Sequence, residues 1–85
     1  ERKYTFLGSV GKQLKPNKFE LIVKNQIRTD KTIEYIGPDV LFLEDSDFSL
    51  FDKDGEQVNK ADHGKFYTLE TDVPLREGYI LRKKI

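Results

Sequence analysis

The sequence has no cysteine, no methionine, no tryptophan and a single histidine among its 85 residues. Without cysteine there is no disulfide framework, no thiolate zinc or iron–sulfur site and no cysteine nucleophile. One imidazole cannot furnish a histidine-based metal site. No apolar run of about 18 residues is present to span a membrane as a helix, and the first residues lack the apolar core of a secretory leader. The expectation is a cytoplasmic domain with no membrane partner, no metal and no cofactor. A chain opening on Glu1 rather than methionine is expected to be an excised or processed piece of a longer protein.

What is present is 36% apolar and 35% charged, with 15 basic residues offset by 15 acidic ones. A chain of this size makes one domain, here 1–85, and buries only roughly 60 to 65% of the surface its unfolded form exposes. Such a domain has one small core and little room for a deep pocket. The zero net charge is unevenly spread: residues 1–31 carry net +5, residues 32–56 net −7 and residues 57–85 net +2. If the first and last thirds meet in space, a basic face would lie opposite an acidic middle; solvated strand faces are the ordinary alternative.

The apolar pattern has a period of two, which puts successive side chains on opposite faces of a sheet. Phe19, Leu21 and Val23 alternate with Glu20, Ile22 and Lys24; Ile33 and Tyr35 with Glu34 and Ile36; Tyr67, Leu69 and Thr71 with Thr68 and Glu70. Tyr4, Phe6 and Val10 supply a first strand, bent or bulged at Gly8 and Gly11, and Tyr79, Ile80 and Leu81 a last one. Turns are expected at Lys15-Pro16-Asn17, Gly37-Pro38-Asp39, Lys53-Asp54-Gly55, Asp62-His63-Gly64 and Arg76-Glu77-Gly78. Val40 to Asp47, which opens on the continuous apolar run Val40 to Leu43, is expected to be a buried crossing segment or a short helical turn. Six to seven short strands without a helical pattern predict an all-β fold, a small closed or nearly closed β-barrel, since closure removes exposed edges.

Motifs for chemistry are mostly excluded by spacing. At the ligand positions of a calcium loop with Gly55 as its central glycine stand Asp54, Asp52, Leu50 and Ala61, and the latter two offer no side-chain oxygen. His63 lies in a turn, and none of Ser9, Ser46 or Ser49 has a nucleophile-elbow context. Glu34, Glu44 and Glu70 lie on or near strands, and nothing in their spacing selects two to face each other. Gly8-Ser9-Val10-Gly11-Lys12 has too few residues between its glycines for a phosphate loop. No catalytic residue is assigned. One binding pattern remains: Lys12, Lys15, Lys18, Lys24, Arg28 and Lys31 form a basic stretch interleaved with Phe19, the kind of face on which small β-barrels track phosphates and stack bases. The pI near 6.9 limits this to an assisting contact.

From Val23 to Pro38 the sequence resembles the C-terminal domain of the collagenase-like peptidase family U-32, with Asn25, Ile33, Glu34, Ile36 and Pro38 in register. Tyr4 to Val10, Asn59 to Gly64, and Pro74 followed by Ile80-Leu81-Arg82-Lys83 extend the resemblance over almost the whole chain. Two departures stand out: Asp30-Lys31 replaces the family's Gly-Asp turn, which must differ or hold Asp30 in a left-handed conformation, and Tyr79 replaces an acidic residue. The resemblance implies a small β-barrel similar to domain two of elongation factor Tu. It also implies an accessory role beside an N-terminal catalytic portion of the same chain, in proteins described as collagenase-like proteases or as promoting RNA hydroxylation, some with an iron–sulfur cluster. The matched residues Asn25, Glu34, Pro38 and Arg82 have structural readings. Asn25 would cap a turn, and Glu34 would face solvent or pair with a base such as Arg82. The expected function is non-catalytic assistance in binding a macromolecular substrate, RNA or polypeptide. The alternative is a structural or oligomerisation domain packing on the catalytic portion, with Val40 to Leu43 or a sheet edge as interface.

Overall fold

The computed structural model describes residues 3–85. They form ten strands and no helix: β1 (Tyr4–Lys15), β2 (Lys18–Val23), β3 (Ile27–Arg28), β4 (Ile33–Gly37), β5 (Val40–Asp45), β6 (Ser49–Asp52), β7 (Gln57–Val58), β8 (Lys60–Ala61), β9 (Tyr67–Glu70) and β10 (Ile80–Lys84). Seven of these have four residues or more, all but β5 at places where strands are expected, and the other three are two-residue pairings. No helix is long and apolar enough to cross a membrane.

Eight strands make one sheet in the order β5-β4-β10-β1-β2-β9-β6-β7, and β3 with β8 makes a second. All pairings are antiparallel. The large sheet has two free ends, β5 and β7, so the expected closed barrel is not made by strand pairing. Closure is approached through side chains: Thr71, just beyond β9, bonds to Asp45 at the end of β5. The sheet therefore curls, and residues from both halves, Tyr35 and Leu81 with Leu50 and Leu69, share one core.

The turns form where the breakers stand. Gly55 and Gly64 take φ of 82° and 87°, values that favour glycine. The Asp52 carboxylate holds the β6–β7 hairpin by accepting from the backbone N–H groups of Asp54 and Glu56. The first strand is irregular where its glycines fall, with register shifts between Phe6 and Gly8 and between Val10 and Gln13. Gly8 is required by close approach: a Cβ there would lie 2.0 Å from the Ile22 carbonyl oxygen of β2.

A further expectation is corrected. The apolar run from Val40 is neither a buried crossing nor a helical turn but the outermost strand of the sheet, with Leu41 90% exposed. The Gly37-Pro38-Asp39 turn folds it back beside β4, and nothing lies on its other side to bury it. Of the two alternatives for the Asp30-Lys31 turn, the structure takes the different turn, since no non-glycine residue among those described has positive φ. The turn is instead held by Arg28, whose guanidinium bonds the Asp30 carboxylate at 3.0 Å while its carbonyl accepts from the Lys31 N–H.

The charge segments also arrange differently from a two-faced particle. Basic strands β10, β1 and β2 sit together in the middle of the sheet, and the acidic residues of 32–56 flank them at both ends, on β4–β5 and on β6–β7.

Candidate functional site

The five cations of the candidate binding face do not converge. Lys12 and Lys15 lie on the exposed end of β1, and Lys18 opens β2 directly opposite Lys15. The Lys18 ammonium sits 4.2 Å from the centroid of the Phe51 ring, which offers it an attractive π face. Lys24 follows β2 at its far end, about 20 Å from Lys18 at the usual rise of an extended chain. Arg28 belongs to the small sheet and is committed to Asp30, whose carboxyl it holds below the usual range by hydrogen bonding. Three lysines thus mark a hairpin tip, and the rest are scattered or neutralised.

The structural residues are more closely knit. Glu34 of β4 is paired across the sheet with Arg82 of β10 on one side and Glu44 of β5 on the other. Its side chain is 4% exposed, and the Arg82 Nε donates to its Oε1 at 2.8 Å. The Arg82 guanidinium lies 3.7 Å from the centroid of the Tyr4 ring, so the cation is covered on one face and bonded at its edge. Of the two alternatives left open for Glu34, the structure takes the ion pair. Asn25 reaches across to β1 rather than capping its own turn: its side-chain amide donates to the Phe6 carbonyl at 2.7 Å, and its backbone N–H to that of Leu7. Pro38 occupies the β4–β5 turn.

Two polar clusters escaped the sequence reading. Asp45 is buried at the end of β5, where one oxygen, Oδ2, accepts from the Tyr35 hydroxyl at 2.6 Å and from the Thr71 hydroxyl at 2.5 Å, and Oδ1 accepts from the Asp47 N–H. Burial, and secondarily the bond to Asp45, push the Tyr35 phenol far above its ordinary range. The signal for this cluster is a carboxylate two residues beyond Leu43, which packs against the core from the same face of the strand. The second cluster joins Tyr79 to the β4–β5 turn: its hydroxyl donates to Asp39 at 2.6 Å, which raises the phenol and lowers the carboxyl. Gly37 makes room for that ring, since a Cβ there would lie 2.3 Å from Tyr79 Cε1.

None of these carboxylates is arranged for acid–base work. Glu34 and Glu44 do face each other, which their spacing did not reveal, but Glu34 is bound to Arg82. His63 lies exposed in a turn, and among the described residues no group of metal-ligating side chains gathers. An open groove of about 680 Å³ between the β6–β7 hairpin and β8 is lined by Lys53, Lys60 and Lys65 but equally by Asp52, Asp54 and Asp62, so it offers an anion no net charge.

The surface feature with a single character is apolar. Register places Ile36 opposite Ile80, Ile80 opposite Ser9 and Ser9 opposite Ile22, one row across β4, β10, β1 and β2. The flanking residues Leu21, Val23, Tyr79 and Leu81 are buried, so Ile22 and Ile80 point away from the core and are 48% and 40% exposed. Phe42, 43% exposed on β5, adjoins the row at Ile36.

Residues 2–82 match the sequence model of the peptidase family U32 C-terminal domain, and the chain belongs to that family. Two crystal structures of the C-terminal domain of a Geobacillus thermoleovorans protein assigned to the U32 peptidases share its fold. The selenomethionine variant has a TM-score of 0.76 at 22% identity, covering 93% of this chain and 99% of that one. The other has a TM-score of 0.77 at 20% identity, covering 94% and 91%. No curated relative matches the chain.

Proposed function

We propose that this domain is a non-catalytic accessory module of a cytoplasmic U32-family protein, and that the macromolecule it helps to hold is a polypeptide rather than an RNA. The observation that carries this is the row Ile36, Ile80, Ser9 and Ile22 with Phe42 beside it, in which Ile80, Ile22 and Phe42 are exposed, a largely apolar face of the kind that marks protein contact. The dispersal of Lys12, Lys15, Lys18, Lys24 and Arg28 argues against tracking a phosphate backbone, which needs cations along one path. The bond between Thr71 and Asp45 supports reading the curled sheet as a nearly closed barrel like domain two of elongation factor Tu. Catalysis, as peptidase or RNA-modifying activity, is assigned to another portion of the full-length protein.

Titration of the chain with denatured collagen and with transfer RNA, each at low and physiological salt, tests this. Polypeptide binding is expected to persist at physiological salt, because apolar contact is not screened, and any RNA binding is expected to vanish. RNA binding that holds at physiological salt, without polypeptide binding, overturns the reading. The same row also supports a second reading, in which the face packs on the catalytic portion. In that case Ile22→Lys with Ile80→Lys in the full-length protein would speed proteolytic separation of the two portions and leave the fold of 1–85 intact.

A further inference from the structure

Strand β5 is the end of the large sheet, bonded to β4 on one side only. Among the described residues, no backbone group of residues 40–44 bonds to any other element. Edge strands are ordinarily kept from pairing by charged side chains, lysine above all, by an inward-pointing charge, a proline, a bulge or a covering segment. β5 reads Val-Leu-Phe-Leu-Glu-Asp, has neither lysine nor proline, and keeps its charges, Glu44 and the inward Asp45, at one end, leaving Val40 to Leu43 without any. It has a bulge, where Leu41 and Phe42 together oppose Ile36, but that bulge aims two apolar side chains at solvent, 90% and 43% exposed.

We infer that this edge accepts an extended segment of another polypeptide as an added strand, apolar opposite Phe42 and basic opposite Glu44. The inference rests on the polypeptide-binding reading above and names its place. Strand addition supplies main-chain hydrogen bonds from the unpaired edge, and side chains at alternate positions supply the choice of guest. Phe42 and Glu44 lie two residues apart on one face, so the guest residues that meet them are also two apart. The charge preference comes from Glu44 itself. Glu34, the carboxylate beside it, is already matched by Arg82, whereas Glu44 is exposed and has no ion-pair partner among the described residues, although Lys31, Lys83 and Lys84 line the same open groove. A second copy of this chain is a poorer guest, since antiparallel pairing of β5 with β5 about its centre would set Glu44 opposite an apolar residue, Val40 or Leu41, and offer it no cation.

The test uses the 15N-labelled chain with a capped peptide Val-Thr-Lys-Thr-Val-Thr-Lys, which alternates valine and lysine on one face, and its counterpart with glutamate for lysine. The lysine peptide is expected to protect the amides of residues 40–44 from hydrogen exchange and to bind at least about threefold tighter than the glutamate peptide. Phe42→Lys is expected to weaken it about tenfold, and Glu44→Lys to reverse the preference between the two peptides. Both positions are exposed, and the same spectra report that each variant is folded. Binding that leaves these amides unprotected and ignores Phe42→Lys overturns the edge site while the polypeptide reading stands. Failure to bind these peptides or denatured collagen overturns both. Protection of residues 40–44 that grows with protein concentration in the absence of peptide overturns the choice of guest in favour of a second copy.

Discussion

The Thr71 hydroxyl donates to the Asp45 carboxylate at 2.5 Å, joining the end of the first strand in the sheet order to the residue after the sixth. With no strand pairing to close the sheet, this bond is a polar tie across its open side, and the Tyr35 hydroxyl, from the neighbouring strand β4, bonds the same oxygen and fixes its position. All three groups are buried, so each needs the others to replace lost water.

Removing one donor from Asp45 is therefore expected to cost more than a surface hydrogen bond. Thr71→Val and Tyr35→Phe should each lower the unfolding free energy by about 1–3 kcal/mol. Urea denaturation measures the loss, and faster amide exchange along β5 in Thr71→Val would show that the curl has loosened. Unchanged exchange there would mean that core packing alone sets the curvature.

Stability should fall on the alkaline side because of Tyr35. The unfolded phenol ionises near about 10, whereas burial, and then the bond to Asp45, hold the folded one much higher. The folded state keeps a proton that the unfolded state releases, so this contribution is complete below the unfolded value and is lost as pH rises above it. Tyr79, raised chiefly by its bond to Asp39, acts in the same direction. Urea midpoints from pH 8 upward should decline less steeply for Tyr35→Phe than for the parent chain; parallel declines would contradict the assignment.

Arg82→Ala strands the Glu34 carboxylate, which is 4% exposed, and removes the cation from the Tyr4 ring. Breaking such a pair from one side costs about 3–5 kcal/mol when both charges are fully buried. The 23% exposure of Arg82 lets water reach the site and places the expected loss at the low end. Glu34→Gln keeps an acceptor for Arg82 and should cost less. A thermal or urea series in which Glu34→Gln is the worse of the two would overturn this ordering.

Two glycines should respond unequally to alanine. At Gly8 the added Cβ meets the backbone oxygen of Ile22 at 2.0 Å, and at Gly37 it meets the Tyr79 ring at 2.3 Å. A ring can swing aside; a strand carbonyl held in a ladder cannot. Gly37→Ala is expected to cost about 1–3 kcal/mol of overpacking and to weaken the Tyr79–Asp39 bond, whereas Gly8→Ala should cost more and disturb the β1–β2 register. Amide chemical shifts of β2 distinguish the two.

Much of this architecture was legible in the chain. Strict alternation in Phe19–Leu21–Val23 and Tyr67–Leu69 marked strands, because one face must be buried, and Pro16, Pro38 and Gly55 marked their ends. Val40 to Leu43 misled because a run of four apolar residues signals burial, and only the sheet order shows that this strand has no neighbour to bury it. The basic stretch was legible as a count of charges but not as a surface, since Lys18 and Lys24 occupy opposite ends of one strand and Arg28 turns to Asp30.

By itself, the sequence determined that the chain is all-β, without cysteine chemistry, punctuated at its turns, and alike over its length to one family's C-terminal domain. These follow from local sterics and composition, which act within a few residues. The tertiary structure alone decided which strand would be the open edge, that Asp45 would receive Tyr35 and Thr71, and that Glu34 would meet Arg82. Those partners stand 26 residues apart for Asp45 and Thr71 and 48 apart for Glu34 and Arg82. A period-two pattern says which face a side chain takes and nothing about which strand will lie beside it.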